Sequence, residues 1–207
     1  MNQEGITFIL SAPSGTGKTT TCGILREKIP DLKFSVSHTT RSPRKGEVEG
    51  TDYFYISESK FKAKIEEGSF LEWAKVHNNY YGTCRDTVSQ CLKNGDNILL
   101  ELDVQGVQSL RKMNYPGTYI FIIPPSIEEL VRRLKGRGTE TEEALEKRIA
   151  VGKQEIQKYE LYDFVLTNYD SRKTADTLMA IIEAEGVRMQ RYKPTSQDIE
   201  DLLREPT

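Results

Sequence analysis

Cysteine is scarce in this chain of 207 residues, which contains only Cys22, Cys84 and Cys91. Their number is odd and no two of them form a CxxC pair, which argues against a disulfide scaffold and against a zinc site. Long apolar runs are absent as well, since no stretch approaches the ~18–20 residues that span a membrane. The opening segment, MNQEGITFILSA, also lacks the basic and apolar regions of a signal peptide. We therefore expect a cytoplasmic protein with no membrane partner.

A large excess of charge of either sign is also lacking. The chain has 29 Lys and Arg against 31 Asp and Glu, which gives a net charge of −2. Proteins that hold nucleic acid through bulk charge need many cations for phosphate contacts, so we expect no nucleic-acid partner. A disordered acidic chain is excluded too, because 37% of the residues are hydrophobic. The length fits one domain with insertions.

Strand-like and helical segments alternate along most of the chain. Short apolar segments predict buried strands, and helix-compatible stretches separate them. The predicted strands cover residues 6–12, 97–103, 117–125 and 163–168. This alternation predicts an α/β fold, with a parallel sheet flanked by helices.

Two segments depart from this alternation. Residues 33–83 contain short alternating patterns and a high density of tyrosine, which predicts an inserted β-rich subdomain. Residues 126–158 are helical, with the spacing of a capping box at Ser126 and again at Thr139. We therefore expect one domain, with a core of residues 1–32, 84–125 and 159–207, an insertion at 33–83 and a helical appendage at 126–158.

A phosphate-binding loop follows the first predicted strand. Residues 12–19 read APSGTGKT and match the GxxxxGK[ST] pattern except for Ala12. Glycines allow backbone N–H groups to approach phosphate oxygens at the start of a helix, which already favours anions. In this pattern Lys18 reaches the β- and γ-phosphates, and the Thr19 hydroxyl binds Mg²⁺. The ATP-binding residues predicted from the loop are Ala12, Pro13, Ser14, Gly15, Thr16, Gly17, Lys18, Thr19 and Thr20.

Two arginines in the insertion form a weaker signal. Arg41 and Arg44 flank Ser42 and Pro43, and the proline makes this segment stiff. Guanidinium groups held on such a turn suit the bidentate capture of a phosphate. Judged from their spacing alone, two such arginines are more often ordinary solvated surface residues than a phosphate site.

Four further motifs occur in order along the chain with the phosphate loop. They are SVSHTTRSPRKGEVEGTDYF at 35–54, FLEWAKVHNNYYGT at 70–83, LDVQG at 102–106 and RLKGRGTET at 133–141. Together they closely resemble the guanylate kinases of the bacterial type, over about residues 6–185. The resemblance implies a P-loop nucleoside monophosphate kinase-like fold, in which the insertion binds GMP and the helical appendage is a lid. It also implies Mg²⁺-dependent phosphoryl transfer from ATP to GMP, and to dGMP, giving ADP and GDP.

The resemblance assigns base-binding roles residue by residue. It implies that Glu72 accepts hydrogen bonds from the guanine N1–H and 2-amino group, a pairing that adenine does not offer. Ser37 and Thr83 match positions that contact the O6 and N7 side of the base. Asp103 matches a carboxylate near the guanine amino group and the metal-water network. The residues that match those holding the GMP phosphate are Arg41, Arg44, Tyr53 and Tyr81.

The lid supplies the remaining assignments. Arg137 and Arg148 match arginines that reach the ATP phosphates, with Arg133 as a lesser candidate, and Asn168 matches a position beside the adenine base. The catalytic residues that the resemblance implies are Lys18, Arg44, Arg137 and Arg148. Two alternatives stay open, a non-catalytic interaction module of this fold and a P-loop kinase for another nucleotide. The oligomeric state is open between a monomer and a homodimer.

Overall fold

The computed structural model describes residues 4–76, 78–136, 142–189, 199 and 202–204. The strands in chain order are β1 (Thr7–Ser11), β2 (Lys33–Phe34), β3 (His38–Thr39), β4 (Phe54–Tyr55), β5 (Phe70–Val76), β6 (Asn79–Cys84), β7 (Ile98–Glu101), β8 (Thr118–Ile123) and β9 (Phe164–Thr167). The α-helices are α1 (Lys18–Lys28), α2 (Glu58–Glu66), α3 (Arg85–Lys93), α4 (Val104–Lys112), α5 (Ile127–Lys135), α6 (Glu142–Ile156) and α7 (Ser171–Gly186). Within these described ranges, no helix combines the length and the apolar character needed to cross a membrane.

A parallel sheet forms the centre of the fold, with its strands in the order β2-β7-β1-β8-β9. Helices cover both faces, which is why the inner strands read as continuous apolar runs. On one face, Phe8 of β1 packs in a cluster with Leu25 of α1 and Leu178 of α7. On the other face, Ile9 of β1 packs in a cluster with Val107 of α4. The predicted α/β architecture is confirmed.

A second sheet, in the order β4-β3-β6-β5, lies in the β-rich insertion. α2 covers it, and the ring of the fully buried Phe61 stacks on Phe70 with 4.5 Å between centroids. The register of β5 against β6 shifts between Phe70 and Glu72. This irregularity breaks the alternation of buried and exposed side chains, so that Phe70, Leu71 and Glu72 are all buried. The shift therefore accounts for a glutamate inside the protein.

The chain passes from the first sheet to the second between Phe34 and His38. Lys33–Phe34 pairs with β7 in the parallel sheet, whereas His38–Thr39 pairs with β6. The first two residues of the segment 33–83 thus extend the core sheet. An edge strand of two residues carries too little periodicity to be recognised in the sequence.

The helical appendage begins after β8 with α5. Ser126 caps this helix, and its hydroxyl accepts a hydrogen bond from the backbone N–H of Glu129, which confirms the predicted helix start. The Glu129 carboxylate accepts hydrogen bonds from the side chains of Arg132 and Arg133, at 2.7 Å each. The predicted second helix start, at Thr139, lies outside the described residues.

Candidate active site

A cavity of about 470 Å³ lies between the carboxyl ends of β1 and β7, the second sheet and α6. Open parallel sheets bind ligands at this edge. Most of the predicted site residues line the cavity, namely Ala12, Ser14, Lys18, Ser37, Arg41, Arg44, Tyr53, Glu72, Tyr81, Asp103 and Arg148. Glu101, Gln105 and Glu155 line it as well, although none of them had a predicted role. Arg137 lies outside the described residues.

The phosphate loop joins β1 to α1 beside the cavity. Gly15 and Gly17 have left-handed backbones, with φ of 89° and 100°, which favours glycine. A side chain would also crowd its neighbours, because a Cβ at Gly17 would lie 2.6 Å from Asn168 Nδ2 and one at Gly15 would lie 2.7 Å from Leu134 Cδ2. Gly17 is the N-cap of α1 and offers no side-chain cap. The loop thus leaves the first backbone N–H groups of α1 to an anion.

Two side chains hold the loop from behind through the backbone oxygen of Thr16. Asn168 Nδ2 donates to this oxygen at 2.7 Å and Arg133 Nη1 donates to it at 2.8 Å. Asn168 is 1% exposed, and its Oδ1 accepts from Thr174 Oγ1 at 2.9 Å. Arg133 is oriented in turn by the Glu129 carboxylate. Asn168 and Arg133 therefore support the loop in this structure, and the nucleotide contacts that the resemblance implies for them stay predictions.

Lys18, the first residue of α1, faces an acidic side chain at the end of β7. Its Nζ lies 3.6 Å from Glu101 Oε2, and the other Glu101 oxygen lies 3.7 Å from Arg26 Nη2. Burial alone would lower the pKa of Lys18, but the charge of Glu101, with smaller contributions from neighbours such as Asp103, raises it overall. Lys18 is therefore a fixed positive charge at neutral pH. Glu101 positions it, a role that the sequence motif did not reveal.

Arg41 is held by a carboxylate that the predicted site did not include. Its Nη1 and Nη2 donate to the two oxygens of Glu47 at 2.9 and 2.8 Å. Glu47 also accepts from the backbone N–H of Arg44 and from Tyr55 Oη, at 2.7 Å each. Arg41, followed by these other donors, lowers the pKa of Glu47 to about 2. Glu47 lies six residues after Arg41 in the motif RSPRKGE, and this position in the motif was the available signal.

Glu72 and Asp103 form an acidic pair at the other side of the cavity. Glu72 is 7% exposed, and its Oε1 accepts from Thr83 Oγ1 at 2.6 Å. Burial, assisted by the charge of Asp103, raises the pKa of Glu72 to about 7. Asp103 caps α4 by accepting from the backbone N–H of Gly106 at 2.8 Å, and burial raises its pKa as well. Thr83 does not border the cavity but fixes Glu72 from behind.

Helix α6, in the helical appendage, reaches the phosphate loop. Arg148 donates a hydrogen bond to the hydroxyl of Ser14. Glu155 follows two helical turns later and lines the cavity from the same helix face. Burial raises the pKa of Glu155 to about 7, with a smaller effect from Asp103. The spacing of seven residues between Arg148 and Glu155 was a signal by which Glu155 could have been found.

The residues beside Lys18 fit a Mg²⁺ ion that is bound through a nucleotide. In the described part of the chain there is no cluster of three or more metal-binding side chains. A Mg²⁺ ion held by substrate phosphates does not need one, since it takes one or two protein carboxylates and keeps several waters. Thr19 is an exposed residue in the first turn of α1, next to Lys18, and Glu101 and Asp103 line the cavity together with Lys18. These hard oxygen donors suit the ion.

Comparisons with known proteins match nearly the whole chain. The family model described as Guanylate kinase matches residues 4–185. A guanylate kinase from Clostridioides difficile is 42% identical over 92% of this chain and 93% of its own, and one from Caldanaerobacter subterraneus subsp. tengcongensis is 45% identical over 93% and 94%. The crystal structure of guanylate kinase from Anaplasma phagocytophilum has a TM-score of 0.77 and 34% identity, covering 92% of this chain and 90% of that chain. The chain therefore belongs to the guanylate kinase family.

Proposed function

We propose that the protein is a guanylate kinase, which transfers the γ-phosphoryl group of ATP to the phosphate of GMP and releases ADP and GDP. The observation that carries this proposal is that two unlike groups share one cavity. Lys18, at the phosphate loop, is the cation for the donor phosphates. Glu72, in the second sheet, is a buried carboxylate suited to a base. A site that bound only a nucleoside triphosphate would need a cation such as Lys18 but no buried carboxylate such as Glu72.

Glu72 accounts for the choice of guanine. Guanine presents N1–H and a 2-amino group side by side, and one carboxylate accepts from both. Adenine has no N1–H, so AMP would leave an oxygen of the buried Glu72 unpaired, and polar sites reject such a mismatch strongly. Thr83 supports this role by fixing the Glu72 carboxylate at 2.6 Å. Ser37 and Asp103 complete the proposed base site.

The phosphate of GMP is assigned to four side chains that border the cavity together. Arg41 is held by two hydrogen bonds to Glu47 before any ligand binds. A side chain that is already ordered loses little conformational entropy on binding, so this arrangement favours affinity for a phosphate. The four residues are Arg41, Arg44, Tyr53 and Tyr81.

The chemistry requires positive charge rather than a general base. The second pKa of a phosphate is about 6, so the acceptor oxygen is largely ionised at neutral pH. The barrier comes from repulsion between two polyanions, which fixed cations in a water-poor site reduce. Lys18 and Arg44 supply such charge, and Arg148 supplies it from α6, where it already contacts Ser14 of the loop. Arg137 stays a prediction for the same role.

The metal ion, the range of acceptors, the cellular location and the role of Asn168 are also part of the proposed function. Mg²⁺, bound through Thr19 and the phosphates of ATP, would neutralise charge on the phosphate oxygens. dGMP is a second acceptor, because the residues assigned to GMP bind the base and the phosphate, which dGMP shares. We propose a cytoplasmic location, in line with the scarcity of cysteine, and no nucleic-acid or membrane partner, in line with the balanced charge. For Asn168 we propose two roles, support of the phosphate loop through Thr16 and a position beside the adenine base of ATP.

A substrate panel tests this function. The purified protein is incubated with ATP and Mg²⁺ and with GMP, dGMP, AMP or UMP, and ADP release is measured. We expect GMP and dGMP to drive ADP release, with AMP at least ~100-fold less effective in kcat/KM. Glu72→Gln should lose most GMP-dependent activity, whereas the exposed Glu183→Gln should keep it. Equal use of AMP and GMP would contradict the role of Glu72, and ADP release that ignores GMP would contradict the function.

A further inference from the structure

The first turn of α4 lies unusually close to the carboxylate of Glu72. A Cβ placed on Gly106 would lie 2.6 Å from Glu72 Oε2 and 3.3 Å from its carboxyl carbon. Real Cβ atoms do not approach an oxygen this closely, so an alanine at this position requires a shift of the carboxylate. Gly106 is itself buried, in the first turn of a helix, and its φ is not in the left-handed region. Backbone conformation therefore does not explain a glycine here.

The neighbours of Gly106 show that this contact is specific. Its backbone N–H donates to Asp103 Oδ1 at 2.8 Å, and the same oxygen would lie 3.4 Å from the added Cβ, which is an ordinary contact. A methyl group would therefore leave the cap of α4 in place. Only Glu72, on the strand facing this helix, would have to move. Its other oxygen is bound to Thr83, so a rotation that frees Oε2 also strains that hydrogen bond.

We propose that Gly106 is a positioning residue for guanine recognition, because the absence of its side chain lets Glu72 lie against the first turn of α4 with Thr83 on its other side. This inference rests on the function proposed above and deepens it. Glu72 is thus held from two directions, by a hydrogen bond to Thr83 and by close packing on a backbone. The specificity of the base site depends on a residue that has no side chain to contact the base.

The substitution Gly106→Ala separates this role from a merely structural one. Alanine has the higher helix propensity, so the helix itself gains from the change. The displaced atom is the end of a flexible side chain, which moves more easily than a backbone. We therefore expect a folded variant in which the carboxylate is misplaced by about 1 Å, an error that can cost ~100-fold in a binding or catalytic geometry.

The expected kinetic result is a change confined to GMP. In Gly106→Ala, kcat/KM for GMP should fall at least ~10-fold through a higher KM, while KM for ATP changes less than about twofold. In a Glu72→Ala background the same substitution should have almost no further effect, since effects that act through one side chain are not additive. The matched control is Gly23→Ala in α1, where a Cβ meets nothing within 4 Å and both KM values should stay unchanged.

Three kinetic outcomes would overturn the inference. An unchanged KM for GMP, an equal rise in KM for ATP, or an undiminished effect in the Glu72→Ala background would show that Gly106 does not act through Glu72. If Gly106→Ala fails to fold, thermal melting of the Gly106→Ala/Glu72→Ala double variant decides. Recovery of the melting transition supports a clash with Glu72, and no recovery refutes it. A wild-type protein without GMP-dependent ADP release would refute the proposed function instead, so the two failures are distinguishable.

Discussion

Replacing Glu72 by Gln should stabilise the free protein above neutral pH while it removes the use of GMP. Glu72 is 7% exposed, and burial raises its pKa to about 7 from an ordinary value of 4.5. One pKa unit corresponds to about 1.4 kcal/mol, so the ionised carboxylate destabilises the folded protein by about 3 kcal/mol once the pH exceeds 7. Glutamine cannot ionise, and it keeps an oxygen that can accept the hydrogen bond from Thr83.

The sign of the pH dependence follows from the two pKa values. Below pH 4.5 the folded and unfolded chains both carry a protonated Glu72, and its ionisation contributes nothing to the free energy of unfolding. Between pH 4.5 and pH 7 the unfolded chain ionises first, so the contribution of this residue becomes more unfavourable as the pH rises. The advantage of Glu72→Gln should therefore grow by about 2 kcal/mol from pH 5 to pH 8.

Thermal melting of the nucleotide-free protein measures this difference. In a chain of this size 1 kcal/mol moves the Tm by about 2–4 °C, so the gap between Glu72→Gln and wild type should widen by about 4–8 °C from pH 5 to pH 8. Glu183→Gln, at an exposed position of α7, is the control and should show a gap that does not vary with pH. A Tm difference for Glu72→Gln that is constant across the pH range would refute the argument that burial holds this carboxylate protonated.

Three further substitutions test the rest of the site. Lys18→Met should lower kcat at least ~100-fold without loss of Tm, since it removes the cation at the donor phosphates, and near-normal ADP release would contradict this. Asn168→Ala should lower the free energy of unfolding in urea by about 1–3 kcal/mol and raise KM for ATP, because the buried oxygen of Thr16 loses a donor. If neither value changes, the loop does not depend on this contact. Glu47→Gln should raise KM for GMP ~10-fold by loosening Arg41, and a steady-state titration with GMP that matches wild type would rule this out.

The sequence predicted those features that depend on local pattern. The phosphate loop requires glycine at two left-handed positions, so its residue types alone placed it between a strand and a helix. The hydroxyl of Ser126 and the spacing to Glu129 likewise predicted the start of α5. The buried strands were recognisable because both faces of the parallel sheet are covered, so that all five positions of β1 are buried and the three central ones are apolar.

The remaining features depend on contacts between distant parts of the chain. Asn168 and Thr16 are 152 residues apart, so no local pattern could reveal that the amide supports the phosphate loop. The burial of Glu72 depends on the register shift in β5, which only the pairing with β6 defines. Lys33–Phe34 joins the core sheet through β7, which lies more than sixty residues further along. Such tertiary contacts set the role of a residue more strongly than its immediate neighbours do.

The balanced charge of the whole chain takes on a clearer meaning inside the cavity. A net charge of −2 first excluded bulk binding of polyanions, yet the proposed reaction brings two polyanions together. Inside the cavity, opposite charges are placed at different positions. Lys18 and Arg41 lie where phosphates are expected, and Glu72 lies where a base with two donors is expected. Each cation is itself paired, Lys18 with Glu101 and Arg41 with Glu47. Because these pairs fix the cations before nucleotides arrive, the protein can be nearly neutral overall and still present oriented positive charge to a phosphate.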